Sequence, residues 1–204
     1  MGLDYKAFEA LRFDCYGTLI DWETGIWDAF QPRLESNENA DLDRQKVLRR
    51  FAEWENTQQA TAPGMLYSDV LSHVHARFAD ANGLVTNAVL NREFGDSVGR
   101  WPVFPDSIEA LRQLKDSYRL VILSNVHDAG FAASNRRLDV EFDAIYTAER
   151  IGSYKPDSAN FDYLLSALGK DFGIHRSGTL HVAQSLYHCL LYTSPSPRDA
   201  TLSR

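Results

Sequence analysis

Three places in this chain set a polar, reactive side chain where an apolar run gives out. The first is Phe13-Asp14-Cys15-Tyr16-Gly17-Thr18-Leu19, in which Leu11 and Phe13 lead to an aspartate and a glycine and threonine follow at once. A strand has little room to continue there, so Asp14 falls at its carboxyl end, the edge where open α/β sheets take their ligands. A carboxylate at that edge is a nucleophile, a metal ligand or a bystander, and spacing alone leaves all three open. The second place is Ser124-Asn125, closing the apolar run 118–123, and the third is Lys155 in Tyr154-Lys155-Pro156-Asp157. In a parallel sheet these strand ends share one edge, so residues distant in sequence can meet.

The elements that must bring them together are legible from periodicity. Residues 11–15, 118–123, 142–146 and 179–183 are short apolar runs of strand type. Residues 106–115, 128–138 and 158–168 alternate with them as helices, the pattern of crossover units in a parallel sheet. Between Asp21 and Arg100 the alternation stops, and apolar residues recur at three- and four-residue spacing over 22–34, 42–58, 65–81 and 85–98. Breaks are expected at Pro32, at Ala62-Pro63-Gly64 and at Asn82-Gly83. The reading is an α/β core over 1–20 and 101–188, with an inserted helical cap over 21–100. Residues 189–204 lose all periodicity and are rich in Ser, Pro and Arg, and they resemble a translated sequencing adapter. They are expected to be unstructured and foreign to the fold.

Composition narrows the function classes. The 204 residues carry a formal charge of −7, the wrong sign for a phosphate-tracking surface, so no nucleic-acid partner is expected. No segment reads as a signal peptide or a membrane span. Cys15 and Cys189 give neither a disulfide framework nor a zinc spacing, which fits a protein of a reducing compartment, the cytoplasm. His73 and His75 stand two apart on a helix, point to different faces and make no metal pair.

The ordered set Asp14-x-Tyr16-Gly17-Thr18-Leu19, Leu123-Ser124-Asn125 and Tyr154-Lys155-Pro156-Asp157, with helices inserted after the first, resembles the haloacid dehalogenase-like (HAD) hydrolase superfamily over about residues 11–188. The resemblance implies a Rossmann-like core with Asp14 as nucleophile, forming an aspartyl ester that splits one displacement into two steps. It implies that Thr18 and Ser124 orient that carboxylate or bond the substrate. It also implies that Lys155 holds the carboxylate ionised, as a nearby cation does. Asn125 is expected to hold substrate or leaving group, or else to cap the strand end.

Tyr16 points to a subfamily. HAD phosphatases usually place a second aspartate two residues after the first, to protonate an alkoxide leaving group. A halide leaves without a proton, and Asp-x-Tyr-Gly-Thr-Leu is similar to the type II 2-haloacid dehalogenases, which need no metal or other cofactor. By that likeness the amides of Cys15 and Tyr16, with Ser124, bind the substrate carboxylate, and a cap arginine receives the halide, Arg50 being the best match and Arg49 the next. A homodimer acting on a small molecule is implied. The chain departs from the dehalogenase pattern at Phe161, where a tyrosine is usual, and in 181–188, which carries no carboxylate. Two other readings stay open: a magnesium-dependent phosphatase on a small metabolite, and a non-catalytic binding protein of the same fold.

Overall fold

The computed structural model describes residues 4–35 and 42–183. Residues 184–188 and the segment 189–204 lie outside the described residues, and the expectations made for them go no further. The sheet has four parallel strands: β1 (Ala10–Phe13), β2 (Arg119–Ser124), β3 (Ala144–Thr147) and β4 (Thr179–Val182), in the order β3-β2-β1-β4. Leu11 pairs with Leu120 on one side and Leu180 on the other, and Phe13 pairs with Ile122 and Val182. β1 is therefore central among the described strands, and all four of its residues are buried.

Period-two alternation sends successive side chains to opposite faces. Leu11, Phe13, Leu120 and Ile122 join the larger apolar cluster, with Phe131, Leu138 and the cap. Ala10, Val121 and Leu123 join a second cluster with Phe161, Leu164 and Leu168 of α8 (Ser158–Phe172). A sheet covered on both faces reads as continuous apolar runs, which is why β2 is buried from Leu120 to Ser124. α5 (Ser107–Lys115), α6 (Asp128–Leu138) and the short α7 (Ala148–Ile151) complete the core's connections.

The inserted region holds α1 (Trp22–Glu35), α2 (Arg44–Thr61), α3 (Tyr67–Ala81) and α4 (Ala88–Gly95), closing with a 3-10 turn, Asp96–Arg100. Asp43 caps α2 by accepting from the Lys46 amide, and Asn87 caps α4 by accepting from Val89 and Leu90. Phe30, Phe51, Phe78 and Phe94 meet at the centre of the cap, with ring centroids 4.7–5.8 Å apart from Phe30 to the other three. Pro32 does not end α1 as expected. It sits in the last turn, where the missing N–H costs a single bond and the helix continues to Glu35. His75 stacks on Phe94 and bonds Asn91, while His73 is exposed and turns back to Asp69 O, so the two do diverge.

The two chains that join core and cap pair with each other. Ile20 bridges Val103, the Asp21 amide donates to Pro102 O at 2.8 Å, and the Phe104 amide donates to Leu19 O at 3.0 Å. No helix among the described residues is long and apolar enough to cross a membrane.

Candidate active site

The core contributes the floor of the site. Asp14 stands one residue past β1, and its amide still donates to Val182 O at 3.0 Å, so the last rung of the ladder aims the carboxylate off the sheet. The chain then reverses. Cys15 O accepts from the amides of Thr18, Leu19 and Ile20 at 3.2, 2.7 and 3.0 Å, and Gly17 has φ +94°, a conformation that only glycine adopts cheaply. The reversal carries Thr18 Oγ1 to 3.4 Å from Asp14 Oδ2.

Lys155 arrives from the loop after α7. Its Nζ donates to Asp14 Oδ1 at 2.7 Å and to Leu123 O at 2.6 Å. Lys155 is 3% and Asp14 5% exposed, so this is a buried ion pair. Such a pair adds little net stability, but losing one partner strands the other charge in the interior. Asn125 fixes where the ammonium goes. Its Oδ1 accepts the Lys155 N–H at 2.7 Å and its Nδ2 donates to Lys155 O at 2.9 Å, a two-point grip on the backbone. Ser124 Oγ, at the end of β2, is buried with no hydrogen-bond partner among the described residues. Burial, then the Asp14 charge, pushes the Cys15 thiol well above its ordinary pKa, so that sulfur stays protonated and is no competing nucleophile.

Tyr16 is packed rather than poised. Its hydroxyl shares a 2.9 Å hydrogen bond with Ser134 Oγ on α6, and its ring meets Trp101 edge-on at 5.4 Å and Tyr67 at 6.2 Å. Burial drives its pKa well up. The position where a phosphatase would carry its second acid thus holds a phenol committed elsewhere.

The cap contributes the roof. A cavity of about 120 Å³ separates Asp14, Tyr16 and Asn125 from Tyr67 of α3 and from Ala52, Glu55, Asn56 and Gln59 of α2. At about 30 Å³ per water molecule, that is room for roughly four waters or a molecule of a few heavy atoms. The four α2 residues follow the i, i+3, i+4, i+7 spacing of one helix face. Gln59 Nε2 donates to Glu55 Oε1 at 2.9 Å, and Gln59 Oε1 accepts from Asn125 Nδ2 at 3.3 Å. Burial raises the Glu55 carboxyl to about 7, against the opposing pull of hydrogen bonds from Tyr67 and Gln59.

The structure brings Asp14, Thr18, Ser124, Asn125 and Lys155 to one sheet edge, with Cys15 and Tyr16 in the reversal beside them. Arg50 stands apart. It is exposed on α2 with its guanidinium 5.4 Å from the Trp54 ring centroid, and it does not line the cavity. Glu55, Gln59 and Tyr67 were not picked out from the sequence. A signal was present: the inward stripe of α2 is apolar at Val47, Leu48 and Phe51 and turns polar at Glu55 and Gln59 without leaving that side of the helix. Phe161 is buried in the α8 cluster, edge-on to His181 at 6.1 Å.

A family model for haloacid dehalogenase-like hydrolases matches residues 8–182. The chain belongs to that family. Among curated proteins, this hydrolase is 28% identical to an (S)-2-haloacid dehalogenase of Pseudomonas sp. (strain YL), over 91% of this chain and 77% of the relative. Its fold is that of solved L-2-haloacid dehalogenases. One matches with a TM-score of 0.75 and 22% identity, over 89% of this chain and 78% of that one. The Xanthobacter autotrophicus enzyme with chloropropionic acid covalently bound matches with 0.74 and 16%, over 89% and 71%. As a HAD-like hydrolase with a Rossmann-like core and helical cap, the chain resembles the 2-haloacid dehalogenases specifically.

Proposed function

We propose that this hydrolase cleaves the carbon–halogen bond of a small 2-haloalkanoic acid through an ester on Asp14. The observation that carries this reading is the Asp14–Lys155 pair at 2.7 Å, facing a cavity in which Tyr16 replaces a leaving-group acid. Lys155 and Thr18 hold the carboxylate so that one oxygen attacks the substrate carbon in line with the departing halide. Attack converts a bimolecular displacement into a step between groups already in place. Ser124 Oγ, with the amides of Cys15 and Tyr16, receives the substrate carboxylate. Asn125 serves by gripping the Lys155 backbone. The roughly 120 Å³ of the cavity suits a two- or three-carbon acid. The cap, taken as residues 21–100, opens about the paired linkers near Ile20 and Val103 to admit substrate and closes to exclude water. A cytoplasmic enzyme, working as a homodimer without a cofactor, fits this chemistry.

A magnesium phosphatase is the poorer fit. Among the described residues no three His, Cys, Asp or Glu side chains converge, and one oxygen of Asp14 is held by Lys155. Magnesium asks for a near-octahedral shell of oxygens, which these residues do not offer.

The test is incubation with 2-chloropropionate and with p-nitrophenyl phosphate, each with and without magnesium. Halide release that needs no metal and is lost in Asp14→Asn is the expected result. Magnesium-dependent release of nitrophenol would favour the phosphatase, and turnover of neither would leave a binding protein.

A further inference from the structure

The cavity above Asp14 holds a second carboxyl group that the chemistry described so far leaves idle. Glu55 projects from α2 on the cap, and Asp14 lies opposite on the sheet edge. Its position is fixed through a chain of hydrogen bonds that starts in the core. The Lys155 backbone sets the orientation of the Asn125 amide, because Oδ1 must accept from Lys155 N and Nδ2 must donate to Lys155 O. Nδ2 therefore donates to Gln59 Oε1, and Gln59 is left to offer its Nε2 hydrogens to Glu55 Oε1. Tyr67 bonds the same carboxyl. A base held by two further groups and facing a nucleophile's cavity is the arrangement that acid–base catalysis uses.

Elimination points to the same group. Of the titratable side chains that line the cavity, Asp14 is the nucleophile and is bound by Lys155. Tyr16 and Tyr67 are driven far up by burial and keep their protons. Tyr154, which faces Glu55 from the loop after α7, is raised as well. His181, on β4, is pushed down to about 3 by burial and the nearby Lys155, and stays neutral. Cys15 holds its proton. That leaves Glu55, poised near 7, as the lining side chain among the described residues that can exchange a proton at neutral pH.

We infer that Glu55 is the general base of the second half-reaction, activating the water that hydrolyses the aspartyl ester. This rests on the ester chemistry proposed above. In the first step an Asp14 oxygen bonds to the substrate carbon and halide leaves with the electron pair of the broken bond. In the second, Glu55 takes a proton from water as its oxygen bonds to Asp14 Cγ. The tetrahedral adduct then collapses, the bond from Cγ to the substrate oxygen breaks, and Glu55 returns the proton to that oxygen. A 2-hydroxy acid departs, the Asp14 carboxyl releases the second proton of that water to solvent, and both groups end as the carboxylates they began as.

The experiment is rapid-quench kinetics with 2-chloropropionate on the full chain and on Glu55→Gln, with intact-mass spectrometry of the quenched protein. Glu55→Gln is expected to release about one equivalent of chloride per active site and then stall. Its turnover should fall by about 10²- to 10⁴-fold, the usual range for losing an acid–base group. Its mass should rise by that of the esterified acid. Steady turnover of Glu55→Gln within threefold of the parent, or loss of the chloride burst in a variant that still melts cooperatively, would overturn the role. No chloride from the parent chain would instead overturn the ester chemistry, and the role with it. A second variant guards against misfolding: Tyr67→Phe keeps Glu55 but removes a bond that lowers its pKa. The alkaline-going rise of kcat near pH 7 should move upward in that variant, and an unmoved profile would count against Glu55.

Discussion

The floor and the roof of this site are built on different principles. On the floor, Asp14 follows β1, Ser124 ends β2 and Asn125 follows it, while Lys155 comes from the loop after the short α7 that follows β3. Backbone rungs aim these groups, as the Asp14 amide on Val182 O shows. On the roof, Glu55 and Gln59 are two positions on one turn-to-turn stripe of α2, and Tyr67 opens α3. Their direction depends on how the cap helices pack over the sheet. The floor is rigid because it is part of the sheet. Near the site the roof meets it through two hydrogen bonds, Asn125 to Gln59 at 3.3 Å and the Tyr154 hydroxyl to Met65 O at 2.6 Å, and through the Tyr16 ring against Tyr67. A reaction that needs both a fixed nucleophile and an admitted water is served by that division.

The sharpest way to break the contrast is at the ion pair. Lys155→Ala should leave the buried Asp14 carboxylate without its ammonium partner, cost about 3–5 kcal/mol in urea unfolding, and abolish halide release. A loss under 1 kcal/mol would mean that the floor is not the rigid half.

Next in size is a pH effect that belongs to the roof. Glu55 has its pKa raised from 4.5 to about 7 on folding. Between those values the native state keeps a proton that the unfolded chain has lost. Stability from this group is therefore full below pH 4.5 and falls as pH rises to 7, by at most about 3 kcal/mol. His181 has the opposite sign: its lowered value makes stability grow as pH rises from about 3 to 6.5. The difference in unfolding free energy between the parent and Glu55→Gln, followed from pH 4 to 8, isolates the Glu55 contribution. A flat difference would place that carboxyl in water.

Asn125→Ala cuts the two-point grip on Lys155 and the bridge to Gln59 together. It is expected to cost about 1–3 kcal/mol, whereas Gln59→Ala, which cuts the bridge and one cap bond, costs about 1 kcal/mol. Equal losses would mean that core and cap share one rigid unit. The smallest effect is expected at Arg50, exposed over Trp54. Arg50→Ala should change stability by no more than about 0.5 kcal/mol. It should leave KM for 2-chloropropionate within threefold of the parent, and a tenfold rise would show that cap closure draws this arginine into the site.

Much of the floor could be read before any coordinates, because it is local. The residues that end apolar runs are adjacent in sequence to the strands that aim them, and a parallel sheet gathers all such ends on one edge. Period-two and 3.6-residue patterns likewise placed the four strands and the main helices. Boundaries moved by four residues at most, α6 matches at both ends, and the single-turn α7 leaves no signal because four residues carry no periodicity. Asn125 illustrates the boundary between the two kinds of knowledge. Its place at a strand end was legible, but its partner, the backbone of a residue 30 positions away, was not.

By itself the chain determined an aspartate at the rim of a parallel sheet, a lysine and a serine destined for the same rim, and a helical insertion above them. These follow from hydrophobic periodicity and from the way strands terminate, which are properties of short stretches. Tertiary structure alone decided that the Tyr16 hydroxyl turns to Ser134, that Arg50 faces outward, and that Glu55 shares a cavity with Asp14. A helix face acquires chemical meaning only from what it packs against, and burial between cap and core raises the Glu55 carboxyl to about 7.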